Sequence, residues 1–85
     1  MTTWIVIKQW ITSWESPTEY QWDGQHHPSH DQAVSAGFTT FECDDFNIGR
    51  VDDGQLVWFG WMDRELPDYD REAISRWIGL TVGAR

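Results

Sequence analysis

Seven tryptophans, Trp4, Trp10, Trp14, Trp22, Trp58, Trp61 and Trp77, must find places in a chain of 85 residues that offers only fourteen Ile, Leu and Val to pack around them. A domain of this size buries roughly 60–65% of the surface its unfolded chain exposes, so indole rings have to supply much of the core volume. Each indole also carries an N–H that needs an acceptor once it leaves water. Seven rings are more than one small core readily hides, and some aromatic surface is expected at the exterior.

Charge is the second constraint. Fourteen Asp and Glu against six Lys and Arg give a formal net charge of −8, which repels nucleic-acid phosphates and anionic membrane surfaces. Direct nucleic-acid binding is therefore not expected. The charge is uneven: residues 42–72 hold ten of the acids against Arg50, Arg64 and Arg71. Apolar runs such as Trp4 to Ile7 fall far short of the roughly 20 residues a spanning helix needs, so no membrane association is expected. The opening Met-Thr-Thr-Trp lacks the basic segment and small-residue cleavage site of a secretory signal, and Cys43, the one cysteine, has no internal disulfide partner. Both features point to a cytoplasmic protein.

No repeat, low-complexity tract or long linker divides the chain, so residues 1–85 read as a single domain. Residues 3–11 are rich in β-branched and aromatic types with apolar side chains on both faces (Trp4 and Val6; Ile5 and Ile7), which predicts a largely buried strand. Trp4, Ile7, Ile11 and Trp14 also fall at helical spacing, but Ile-Val-Ile is poor helix material. Pro17, Asp23-Gly24 and Pro28 mark a loop-rich stretch with room for a short strand at Tyr20 to Trp22. Ser29 with Gln32 three residues on forms a capping box, Asp31 suits the first turn, and Gly37 reads as a left-handed stop, predicting a helix over 30–36 with Ala33 and Val34 inward.

Phe46 to Val51 and Gln55 to Met62 read as strands joined by a three-residue loop, Asp52-Asp53-Gly54. Pairing Val51 with Gln55 would put Ile48 opposite Trp58 and Arg50 opposite Leu56 on one side of the hairpin. The other side would then carry Val57, Phe59 and Trp61 with only Asn47 and Gly49 beside them. A last helix starts at an Asp68 or Asp70 cap, buries Ala73, Ile74, Trp77 and Ile78, pairs Glu72 with Arg76, and ends at Gly79. The order β-α-β-β-α predicts an α+β fold: a small single-layer antiparallel sheet of three to four strands with both helices packed on one face.

Candidate chemistry is thin. His26, His27, His30 and Asp31 are ligand types acceptable to Zn²⁺ or Ni²⁺, but Pro28 and the Ser29 cap interrupt the spacing, so they are weak metal candidates beside the reading of a solvated loop. Cys43 lies between Glu42 and Asp44-Asp45, and neighbouring carboxylates disfavour a thiolate, so it is expected to be a poor nucleophile. Asp52-Asp53-Gly54 is explained by a turn, and Asp68 and Asp70 by capping. There is no phosphate loop, nucleophile elbow or cysteine-pair motif. Neither a catalytic site nor a cofactor is expected.

What remains is acidic loops beside aromatic surface, which suits a protein partner with a basic surface: rings supply desolvated contact and charges steer. The residues expected to meet it are Glu42, Asp44, Asp45, Asp52, Asp53, Asp63, Glu65, Asp68 and Asp70, with Phe59 and Trp61 as apolar anchors. Basic surfaces are commonly those that hold nucleic acid. The sharpest form of this expectation is thus a nucleic-acid-mimicking inhibitor of a DNA- or RNA-handling complex. Small size and acidity are similar to those of phage anti-defence proteins of the anti-CRISPR kind, a likeness of composition that no motif carries. The rival expectations are a metal or small-ligand binder built on the histidine loop, and a self-associating module, monomer or homodimer, using the Val57, Phe59, Trp61 face.

Overall fold

A computed structural model describes residues 1–10, 18–61 and 63–82. Six strands and two helices follow in the order β1 (Thr2–Trp10), β2 (Glu19–Trp22), α1 (His30–Phe41), β3 (Asn47–Asp52), β4 (Gln55–Trp61), β5 (Arg64–Glu65), α2 (Asp68–Ile78) and β6 (Thr81–Val82). The class is α+β, with more strands than the expected three to four. The sheet runs β2-β1-β3-β4-β5 with every neighbouring pair antiparallel, while β6 adds a short parallel pairing to β4. Residues 3–11 are a strand as expected as far as Trp10; Ile11 and Trp14 lie outside the described residues.

The two helices do not share a face. Ile5 and Ile7 of β1 pack with Val51, Leu56, Phe59 and Ile74 of α2, whereas Val6 packs with Ile48, Phe46 and Ala33 of α1 and has Trp4 beside it. Successive strand side chains point to opposite sides, so these are two cores on opposite faces of one sheet. The reason is visible in β1: a central strand that is apolar on both sides needs cover on both. Each fully buried aliphatic or Phe side chain in these cores contributes about 1.5–3 kcal/mol relative to exposure.

The hairpin departs from its expected register. Asp52 pairs with Gln55, leaving a two-residue turn in which Asp53 (φ 51°) and Gly54 (φ 81°) are both left-handed. That is the turn whose twist matches paired strands. Beyond it the register shifts between Arg50 and Val51, so that Val51 opposes Leu56 while Arg50 opposes Trp58 and Ile48 opposes Gly60. Val57 is the extra residue of a β-bulge. The bulge turns Leu56 to the α2 face, where it meets Phe59, and leaves Trp58 in line with Arg50 on the α1 face.

Helix α1 starts as expected, with the Ser29 hydroxyl accepting the Gln32 N–H at 3.1 Å. It does not stop at Gly37. That residue is buried inside the helix, where a Cβ would come within 2.5–2.8 Å of three atoms of the Phe46 ring; Glu42 (φ 56°) makes the left-handed stop, its N–H bonded to the Phe38 carbonyl. In α2, Pro67 rather than an Asp occupies the N-cap and no side chain caps the turn, while Asp68 and Asp70 lie within the first turn, favourable to the helix dipole. Gly79 (φ 82°) ends it as expected, and Glu72 and Arg76 do not close to an ion pair among the described residues. The Arg71 guanidinium is buried under β4, donating to the Leu56 carbonyl at 3.1 Å, with Asp68 3.7 Å away. No helix among the described residues is long and apolar enough to cross a membrane.

Candidate functional site

Because α1 runs on through Gly37 to Phe41, it carries Phe38 onto the surface at the end of the sheet where β4 finishes. Phe38 is 47% exposed and stands edge-on to Phe46 (ring centroids 5.2 Å apart) and to Trp61 (6.5 Å); Phe46 and Trp61 are themselves perpendicular at 5.1 Å. Edge-to-face pairs of this kind add about 0.5–1.5 kcal/mol beyond the area they bury, so the buried Phe46 ring holds Phe38 and the half-buried Trp61 as a fixed apolar patch. The connection from α1 to β3 places exposed Glu42, Asp44 and Asp45 directly after it in the chain, and the turn after Trp61 places exposed Asp63. Among the described residues, none of these four carboxylates has an ion-pair partner. Lys8 reaches the same connection, its ammonium donating to Sγ of Cys43 at 3.6 Å.

The other expected contact residues scatter. Phe59 cannot be a surface anchor: it is 0% exposed and lies in the core beneath α2, because that face of the hairpin is covered by the second helix. The same cover removes the Val57, Phe59, Trp61 face as a free self-association surface; Trp61 belongs to the α1-side cluster. Asp52 and Asp53 sit at the hairpin tip. Asp52 accepts the Thr2 hydroxyl at 2.6 Å and pairs with Arg50 at 3.3 Å, and Asp53 pairs with the N-terminal ammonium. That hydrogen bond and charge hold the Asp53 carboxyl below its usual value and the ammonium above its own. Asp68 and Asp70 belong to α2, on the opposite side of the sheet from α1; Glu65 is half-buried in β5.

A concave pocket on the α1 side was not anticipated. Trp4, Arg50 and Trp58 form one row across β1, β3 and β4, and with His30 and Asp63 they line a cavity of about 280 Å³. His30, the first residue of α1, stands edge-on to Trp4 at 5.3 Å. The expected register kept the right parity on this side but paired Trp58 with Ile48 instead of Arg50: the turn is one residue tighter than expected, and the Val57 bulge, which nothing in the sequence marks, adds the second residue of the shift. A residue two positions out of place hides the row.

The histidine loop does not converge. His26 lies 3.1 Å from the Thr3 hydroxyl, His27 pairs with Asp23 at 2.8 Å in a largely buried contact, and His30 faces Trp4 with Asp31 at 3.4 Å. No group of three His, Cys, Asp or Glu side chains among the described residues is arranged to hold a metal ion. His27 is tied to Trp4 through two backbone hydrogen bonds (2.8 and 2.7 Å), and the three rings have separate partners: Thr3 for His26, Asp23 for His27 and Trp4 for His30.

A second aromatic surface lies on the α2 side. Tyr69 is 74% and Trp77 46% exposed, and Trp77 contacts Tyr20 at 5.3 Å. Its surroundings are mixed in charge. Burial raises the Tyr20 hydroxyl above its usual pKa, with Tyr69 and Asp70 adding to the rise and Arg76 opposing it, and Asp70 accepts a bond from Gln9 at 3.4 Å.

No protein-family model, curated protein or solved structure matches this chain.

Proposed function

We propose that this chain is a non-catalytic binding module that docks on the basic surface of a macromolecular partner, with Phe38 and Trp61, fixed on the buried Phe46 ring, as its apolar contact. Glu42, Asp44, Asp45 and Asp63 supply its charge. The observation that carries this reading is the coincidence of a nearly half-exposed ring, fixed by two others, with four carboxylates that form no ion pair among the described residues, although Lys8 reaches Cys43 between two of them. An apolar centre supplies contact area that excludes water, and charged neighbours select the partner and speed the encounter. The α2 surface fits less well, since its tyrosines and Trp77 have both Asp70 and Arg76 around them. Where the partner's basic surface ordinarily holds DNA or RNA, such a module occupies it in place of phosphates and acts as a competitive inhibitor.

Salt-graded capture tests the reading. The wild-type chain and a Glu42→Gln, Asp44→Asn, Asp45→Asn variant are immobilised and challenged with the same lysate. Wild type should retain a partner at low salt and release it as ionic strength rises, because exposed charges more than about 8–10 Å apart are largely screened at physiological salt; the variant should retain much less. Equal retention by both chains, or retention indifferent to salt, contradicts electrostatic docking.

A further inference from the structure

The pocket beside this surface has a composition that selects a ligand. Neighbouring strands lie about 4.7–4.9 Å apart, so Trp4 and Trp58, two strands apart in one row, stand roughly 10 Å from each other across Arg50, with His30 closing one side. Its walls are aromatic and its two formal charges are Arg50 and Asp63. They are not equivalent. The Arg50 guanidinium is drawn to Asp52 at 3.3 Å, and Asp52 is itself held by the Thr2 hydroxyl at 2.6 Å, whereas Asp63 has no such partner among the described residues. Of the two, Asp63 is the one without an ion-pair partner among the described residues. Indole faces attract cations through their ring quadrupole, most strongly when the cation is partly desolvated.

We propose that the cavity lined by Trp4, Arg50, Trp58, His30 and Asp63 receives a Lys or Arg side chain of the basic partner, its alkyl stem against the indoles and its cationic head at the Asp63 carboxylate. The proposal rests on the docking reading above and gives it a specific contact. An alkyl stem ending in an ammonium or guanidinium suits an aromatic wall with a charge at one end, and the −8 net charge of the chain favours any cation that approaches. The other occupant to consider is an anion held by Arg50, and it makes opposite demands on the two charged residues.

The test is a titration of the intact chain followed by the indole N–H resonances, using N-acetylarginine amide and N-acetyllysine amide as cations, N-acetylcitrulline amide as a neutral analogue of nearly the same shape, and N-acetylglutamate amide as an anion. At least one cation should shift the Trp4 and Trp58 signals saturably, and whichever does so identifies the side chain; the neutral and anionic probes should bind more weakly. Asp63→Asn, on an exposed turn, should weaken the cation about threefold, as expected for losing one partly exposed ion pair, and Arg50→Gln should tighten it. No saturable shift with either cation, equal binding of citrulline, or the reverse pattern in which Arg50→Gln weakens the preferred probe and glutamate binds best, overturns the proposal. If the probes fail while salt-sensitive capture persists, the pocket assignment falls and the docking reading stands. If the probes bind but no salt-sensitive partner is captured, the pocket is a cation site and the docking reading falls.

Discussion

Phe46 is buried against α1 only because residue 37 has no side chain: three atoms of its ring lie where the first carbon of any other residue would have to go. Gly37→Val should therefore destabilise the fold by about 2 kcal/mol or more, since forcing extra carbons into a packed core typically costs 1–3 kcal/mol and the valine returns less than about 1 kcal/mol of helix propensity. A denaturant midpoint at or above that of wild type would contradict this. The same residue illustrates a limit of reading from sequence. A Gly seven residues into a short apolar pattern has the signature of a C-cap, and only the Phe46 ring, nine positions further on, distinguishes a close approach from a stop. Phe59 was misplaced for a related reason: its neighbours on the hairpin are small, which from the sequence resembles an uncovered surface, but the cover comes from Ile74 on α2.

At the scale of elements, the β3–β4 hairpin fixes both the core and the pocket. Its turn needs two consecutive left-handed residues, and Gly54 takes that conformation with nothing within 4 Å of where a Cβ would be. Gly54→Ala should cost about 1–2 kcal/mol from backbone strain alone, measured by chemical denaturation, with the native fold retained; an unchanged midpoint would mean that the turn relaxes into another geometry. Much at this scale was legible. The first strand, the short strand at Tyr20 to Trp22, the Ser29 start of α1, the hairpin and the Gly79 stop all carry local signals of spacing, capping or turn chemistry. The two-residue strands β5 and β6 carry none, being too short for a periodicity to register, and the Val57 bulge has no signature of its own. The placement of the helices was half legible: β1, apolar on both sides, required cover on both, yet the order of elements alone does not say which helix takes which face.

For the whole molecule, the excess of negative charge does not lie on one flank. Asp52 and Asp53 close the hairpin tip with Arg50, Thr2 and the N-terminus, Asp68 and Asp70 serve the first turn of α2, and Glu42, Asp44, Asp45 and Asp63 are left beside the α1-side rings. Composition revealed the sign of the charge, whereas only the fold separates carboxylates already engaged from those that form no ion pair among the described residues. The aromatic surplus divides likewise between Phe38 with its two neighbours and the Tyr69–Trp77 surface of α2, which are on opposite sides of the sheet. We assign docking to the first. Amide hydrogen exchange of the chain alone and in complex with the partner retained at low salt tests that assignment directly. Protection is predicted over residues 38–46 and around Trp61 and Asp63, with α2 unchanged; protection confined to α2, around Tyr69 and Trp77, would contradict it.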